Sequence, residues 1–473
     1  MLPFQCVRRD YYTLPYEGVK VERCIIVSMN LTLAQALRIQ SPSCIAFVGA
    51  GGKTTAMFQL ARQLSAPVIV TATSHLGVWQ IPLADKHIIT ETPTPLEELE
   101  RGFQGVILIT GEMDGDRTKA INDDLLNWLH QFCSDHSIPL LIEADGARRK
   151  PLKAWAEHEP PIPSFAEQVV QIVGLTGLGE ELNDENVHKA QIFSKLSGLK
   201  AGEIITPDAL ARILTHSEGG LKNIPAQARR IVLLNQADTP ELQAVANGLA
   251  GRLVPTYHSA VIASLNRERI FAVHEPIAGI ILAAGESSRY GQPKQLLDWK
   301  GKPFIRAVAM TALEAGLSPV IVITGANADK VEAAVRDLDV RLVRNEEWRR
   351  GQGSSIKAGI LSLTQPPLSE AGGAIFLLVD QPQVTTSILR ALAEKHTEGL
   401  HPVIAPMVMD RRANPVLFDR VTFPDLITLD GDVGGRAIFP RHRVEYLPWH
   451  DDRLLLDVDT PEMYQRLVSD ELS

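Results

Sequence analysis

Two apolar runs, each leading into a glycine-rich turn and then a helix-like pattern, divide the chain. The first is Cys44-Ile-Ala-Phe-Val48 before Gly49-Ala-Gly-Gly-Lys53; the second is Ile277-Ala-Gly-Ile-Ile-Leu282 before Ala283-Ala-Gly285. Each opens a series of strand-sized apolar runs separated by helix-length stretches. In the first half these runs fall at 68–71, 105–110, 140–143, 169–173 and 231–235, and in the second at 320–324, 341–344, 374–379 and 403–405. They lack the polar alternation of half-exposed strands, so they predict parallel sheets covered by helices on both faces. Both halves therefore read as three-layer α/β/α domains, 29–274 and 277–473, meeting near His274-Glu275-Pro276. The layout repeats but the sequence does not, which indicates a fusion rather than a duplication. Residues 1–28 stand apart. Met29-Asn-Leu-Thr-Leu-Ala-Gln-Ala-Leu reads as a fresh start with a capped helix, so translation from Met29 is the expectation, with 1–28 either an extension or the product of a mis-assigned start.

Composition narrows the class. A chain of 473 residues, 45% apolar and 22% charged, has room for two or three domains with full cores and is not a disordered or fibrous sequence. A net charge of −9 without a Lys/Arg run argues against a nucleic-acid partner but leaves anionic small molecules open. No apolar run approaches the roughly 18 residues of a membrane helix, and no secretory h-region follows the first residues, so neither a membrane partner nor export is expected. The four cysteines, Cys6, Cys24, Cys44 and Cys133, have no CxxC spacing and no adjacent His cluster. Idle thiols in a reducing cytoplasm are the expectation.

The second half carries the denser chemistry. Leu282-Ala-Ala-Gly-Glu-Ser-Ser-Arg-Tyr-Gly-Gln-Pro-Lys294 ends a strand in a loop whose backbone N–H groups can surround a phosphate, with Arg289 and Lys294 adding two cations. Without the GK[ST] ending of a P-loop, such a loop suits a nucleoside triphosphate attacked at its α-phosphate. Phe376-Leu-Leu-Val-Asp380 ends an apolar strand in a carboxylate, a usual place for Mg²⁺ bridging phosphate oxygens. Asp457 and Asp459 precede a helix opened by Pro461; a capping role explains Thr460 and Pro461 but not both acids. Gly351-Gln-Gly353-Ser-Ser355 opens a further helix with small residues, where a base or ribose can pack.

Taken in order, LAAGESSRYGQPK at 282–294, GQGSS at 351–355, VDQP at 379–382, ANPVLF at 413–418, GDVGGR at 431–436 and DVDTPE at 457–462 closely resemble the molybdenum cofactor cytidylyltransferases of MocA type. The resemblance implies a Rossmann-like nucleotidyltransferase domain. It implies transfer of CMP from CTP to molybdenum-loaded molybdopterin, with Mg²⁺ and release of pyrophosphate. Leu282, Ala283, Ala284 and Gly285 match the CTP form of the loop. Arg289 and Lys294 fall to the triphosphate; Asp380 to the metal and catalysis, with Asp459 and Asp457 behind it. Asn345, Gly353 and Ser354 fall to nucleotide binding, and Asn414, Asp432 and Arg436 to the pterin side. A neighbouring alternative replaces molybdopterin by another phosphorylated small molecule.

In the first half, Val48-Gly-Ala-Gly-Gly-Lys-Thr-Thr55 follows a strand and opens a helix, the context of a P-loop, although Phe47 stands where the leading glycine belongs. Gly49, Gly51, Gly52, Lys53, Thr54 and Thr55 are the expected phosphate contacts, with the Thr54 hydroxyl on a metal. Leu140-Leu-Ile-Glu-Ala-Asp145 resembles a Walker B strand, with Asp145 or Glu143 near that metal. Asn235-Gln-Ala-Asp238 resembles a guanine-reading NKxD element with Gln236 in place of Lys, and thereby admits ATP or GTP. Arg148, Arg149, Lys150 and Lys153 are candidates for an anionic ligand or a solvated face, and His188 is a lone imidazole. FVGAGGKTT at 47–55, IEADGARRKPLKAWAEHEP at 142–160, GLGEELNDENVHKAQIF at 177–193 and LLNQAD at 233–238 resemble the YqeC family, described as accessory to selenium-dependent molybdenum hydroxylases. That resemblance implies an apo molybdenum hydroxylase as client, with the first half either a nucleotide-driven helper or a non-catalytic recruitment module.

Overall fold

A computed structural model describes residues 31–40, 43–94, 104–287, 290–363 and 371–469. The apolar runs become the centres of two sheets, one in each half. The first has nine strands in the order Arg269–His274, Ser259–Ser264, Arg229–Asn235, Gln168–Gly174, Cys44–Gly49, Leu140–Glu143, Val68–Ala72, Val106–Thr110 and Lys86–Ile89. All neighbours are parallel except the edge pair of Ser259–Ser264 with Arg269–His274. The strand entering the glycine turn lies centrally, every residue buried, between Gln168–Gly174 and the acid-bearing Leu140–Glu143. This placement puts the turn, Glu143 and the end of Gln168–Gly174 at one edge of the sheet, where parallel α/β folds gather ligands.

The second sheet has eight strands. Ile277–Ala283 is flanked by Val320–Thr324 and Gly373–Leu378, with Arg341–Arg344 beyond the former and Val416–Asp419, Val403–Val408, Arg411–Arg412 and Val444–Pro448 beyond the latter. It is mixed rather than parallel, because Val416–Asp419 runs antiparallel to both Gly373–Leu378 and Val403–Val408. Helices cover both faces, burying Ile281, Phe304, Val322 and Leu377 on one and Ile280, Ile323, Ile356 and Phe376 on the other. Among the described residues, no helix is long and apolar enough to cross a membrane, and Cys44 and Cys133 are buried free thiols.

The last strand of the first sheet ends at His274 and the first of the second sheet begins at Ile277. The segment between them carries Glu275, buried in a charged cluster that both halves build. Arg38, just past the short helix Leu33–Ala36, lies 2.8 Å from Glu275 and also pairs with Asp419. Arg229 reaches Glu275 at 2.7 Å, and His396 Nε2 lies 2.7 Å from Asp419. Helix Thr386–Gly399 of the second half packs on strand Arg269–His274, and Leu400 joins the apolar core of the first half.

Candidate functional sites

In the first half, Gly49, Gly51 and Gly52 have φ values of 96°, 85° and 129°, a left-handed run that non-glycine residues rarely adopt. Space is equally short: a Cβ on Gly51 would strike the backbone of Gly174, and one on Gly52 the amide of Asn235. The turn then opens helix Lys53–Gln63 with its first N–H groups directed at a cavity of about 700 Å³. Lys53, Thr54, Thr55, Glu143, Arg148 and Arg149 are among the residues lining it.

The two acids of the Leu140–Asp145 segment separate into different roles. Asp145 accepts from the Gly49 N–H at 3.0 Å and the Trp155 indole at 2.7 Å, and pairs with Lys53 at 3.1 Å and Lys153 at 3.0 Å. Burial opposes its charge, but the two lysines outweigh it and hold the carboxyl below its ordinary range. Its lone pairs are spent on holding the turn, so the expected metal role of Asp145 does not fit its surroundings. Glu143 instead faces the cavity, accepting from the Thr54 hydroxyl at 3.4 Å. Burial, opposed in part by Lys53, pushes it up to about 7. Gln80 completes the group: its amide donates to Thr54 Oγ1 at 2.5 Å, while its buried Oε1 has no hydrogen-bond partner.

The residues expected to read a base make other contacts. Asn235 donates to the Gly51 carbonyl at 2.7 Å and accepts from the Leu265 N–H at 3.0 Å, clamping the back of the turn. Asp238 is engaged by the Ser264 hydroxyl, and its carbonyl by Arg267. Neither lines the cavity, whereas Gln236 does. Lys153 is buried against Asp145 rather than on a solvated face, and burial, reinforced by Lys153, lowers His188 to about 4.

In the second half, the loop after Ile277–Ala283 is held by Gln295, whose amide donates to the carbonyls of Ala283 at 3.1 Å and Gly285 at 2.6 Å. Lys294, one residue earlier, places its ammonium 2.9 Å from Asp380 and 2.8 Å from Asp459. Burial works against that charge, but the two carboxylates prevail and raise the Lys294 pKa. The carbonyl of Asp380 accepts from the Val458 N–H at 3.1 Å, so the two acid-bearing segments are tied together by backbone. Asp457 turns to the Gln381 amide at 2.7 Å; burial and the neighbouring charges of Asp380 and Asp459 raise its pKa. Arg289 lies outside the described residues.

Asn345 and Ser354 bond to each other at 2.8 Å, and Asn345 also reaches Ser355 at 3.0 Å. They lock the start of helix Gln352–Leu363, while Gly353 packs against the backbone of 429–430, where a side chain would crowd it. A cavity of about 270 Å³ opens beside this helix. Its walls are Leu282, Phe376 and Phe418, and Asn414 and Arg436 supply polar groups. Asp432 is exposed and does not line it, so it falls outside the expected pterin-side set. Gln80 and Trp79 were not legible as site residues: no local motif surrounds them, and tertiary contact alone brings them in, whereas Gln381 lies within VDQP and Gln295 directly follows the 282–294 loop.

Comparison with known proteins finds a different family in each half. A family model described as YqeC protein matches residues 45–191, and one described as MobA-like NTP transferase domain matches 279–446. The chain is 32% identical over 202 residues to Uncharacterized protein YqeC of Escherichia coli (strain K12), spanning 41% of this chain and 76% of that protein. It is 32% identical over 202 residues to Nicotine blue oxidoreductase of Paenarthrobacter nicotinovorans, spanning 41% and 96%. A Probable molybdenum cofactor guanylyltransferase of Bacillus mycoides (strain KBAB4) is 28% identical over 135 residues, spanning 28% and 64%. The chain therefore belongs to the YqeC family through its first half and carries a nucleotidyltransferase domain of the MobA-like NTP transferase family in its second.

Proposed function

We propose that the second half transfers the nucleotidyl group of CTP to molybdenum-loaded molybdopterin. The single observation that carries the reading is the Lys294 ammonium set between Asp380 and Asp459 beside the glycine loop. The terminal phosphate of the acceptor attacks the α-phosphate, a new P–O bond forms, and the bond to the β-phosphate breaks as pyrophosphate leaves. Such transfer depends on positioning and charge neutralisation rather than a covalent intermediate. Lys294 stabilises charge on the departing pyrophosphate, and the loop N–H groups of Ala284 and Gly285 orient the phosphates. Among the described residues no three His, Cys, Asp or Glu side chains gather as a metal group, but Asp380 and Asp459 suit Mg²⁺, which takes one or two carboxylates together with substrate phosphates. When bound there, the ion neutralises the triphosphate. The apolar slot of Leu282, Phe376 and Phe418 accommodates a planar pterin, with Asn414 and Arg436 for its polar edge and phosphate.

For the first half, we propose a Mg²⁺-dependent ATP or GTP site on the Gly49–Thr55 turn. Glu143, Thr54 and the unpartnered Oε1 of Gln80 supply hard oxygen donors, with Glu143 rather than Asp145 the acid of the expected pair that faces the metal position. Its service to a molybdenum hydroxylase client rests on the family resemblance. The second-half reading is tested by pyrophosphate release with molybdenum-loaded molybdopterin and Mg²⁺, comparing CTP, GTP and ATP. A further arm, motivated by the Paenarthrobacter relative, offers the dye nicotine blue with a reductant. Release with CTP alone supports the reading; release with GTP alone, or dye reduction without release, contradicts it.

A further inference from the structure

Trp79 is half exposed at the rim of the first-half cavity, a large aromatic face that a phosphate site alone does not require. Its position is built into the chain. A Cβ on Gly77 would collide with the indole Nε1 and Cδ1, so only glycine lets the ring lie there. The next residue, Gln80, is buried and bonded to Thr54, which ties the indole to the phosphate turn. The Arg149 guanidinium lies 5.0 Å from the ring centroid, so a planar cationic group already rests near that face. Arg148 and Arg149 both have left-handed φ values, 49° and 62°, which present their side chains from one tight loop. Meanwhile Asn235 and Asp238, the residues that would read a guanine edge, are spent on Gly51, Leu265 and Ser264.

We propose that this cavity takes a phosphorylated planar heterocycle, with its phosphates on the Gly51–Thr55 turn and its ring stacked on Trp79 beside Arg149. Purine and pyrimidine rings are accepted alike. The inference rests on the phosphate reading of the turn and names how the other end of the ligand is held. Stacking tolerates any base because every base has a π face, whereas an edge-reading carboxylate does not. Discrimination is therefore left to the phosphates.

The test uses the full chain carrying Lys294→Ala to weaken the second-half site, titrated calorimetrically with ATP, GTP, CTP and inorganic tripolyphosphate in the presence of Mg²⁺. The three nucleotides are expected to bind within about tenfold of one another. Trp79→Ala is expected to weaken each by about five- to a hundredfold while leaving tripolyphosphate unchanged, and Trp79→Phe to restore most of the loss. Unchanged nucleotide affinity in Trp79→Ala, or binding of GTP alone that is lost in Asp238→Asn, overturns the proposal. Tripolyphosphate binding that ignores Lys53→Ala overturns instead the phosphate reading on which it rests.

Discussion

Glu143 is where the chemistry of single residues is most exposed to measurement. The strand Leu140–Glu143 carries it into a buried position beside Lys53, and burial lifts it to about 7. The folded chain then holds a proton more tightly than the unfolded one, so stability is lost as pH rises from about 4 to 7. Moving the carboxyl from 4.5 to about 7 costs the fold about 3 kcal/mol at pH 8. Glu143→Gln is expected to raise the melting temperature at pH 8 and to flatten its decline between pH 5 and 7. A melting temperature that stays the same at both pH values would remove Glu143 from its buried, proton-holding role. The same substitution should abolish the tightening of nucleotide binding by Mg²⁺ in the first half. Asp145, in contrast, has its charge satisfied by Lys53 and Lys153 and belongs to the frame of the turn.

At the scale of elements, the glycine turn is a conformational demand that one methyl group can break. Gly51 has both a left-handed φ and the backbone of Gly174 where a Cβ would stand. Gly51→Ala is expected to cost about 1–3 kcal/mol and at least tenfold in nucleotide affinity, read by urea unfolding and calorimetry. Gly248, inside helix Pro240–Leu253 with open space around it, should gain about 0.5–1 kcal/mol on the same change. Continuous apolar runs made the central strands legible: Leu140–Glu143 and Val320–Thr324 have the ends that the pattern predicted, as does the edge strand Arg341–Arg344. The half-exposed edge strand Lys86–Ile89 and the antiparallel strand Val416–Asp419 were not, since edge position and strand direction are set by long-range pairing. The same division holds in the sites. Lys294, Asp380 and Asp459 announce themselves in motifs, whereas Gln80 and Trp79 matter only because the fold carries their turn over to Thr54.

The whole molecule joins the two halves through charge as well as apolar packing. Arg38 and Arg229 come from the first half, Asp419 and His396 from the second, and Glu275 from the segment between them. Removing one partner strands the others away from water, so Arg38→Ala is expected to cost about 3–5 kcal/mol in urea unfolding of the full chain. A loss below about 1 kcal/mol would mean that the cluster is solvated and does not brace the junction. A braced junction keeps the nucleotidyltransferase domain and the YqeC-family half on one body, which, on the functions proposed for the two sites, raises the local concentration of one site's product near the other. CTP-dependent transfer at Lys294, Asp380 and Asp459 is the activity proposed for the second half. Its most direct measurement is a single turnover of the full chain with α-labelled CTP, Mg²⁺ and molybdenum-loaded molybdopterin, comparing the native chain with Asp380→Ala. Label is expected in a pterin dinucleotide with stoichiometric pyrophosphate, at a rate at least about 10²-fold lower in the variant. Label that stays in CTP, or transfer that Asp380→Ala leaves untouched, would contradict it.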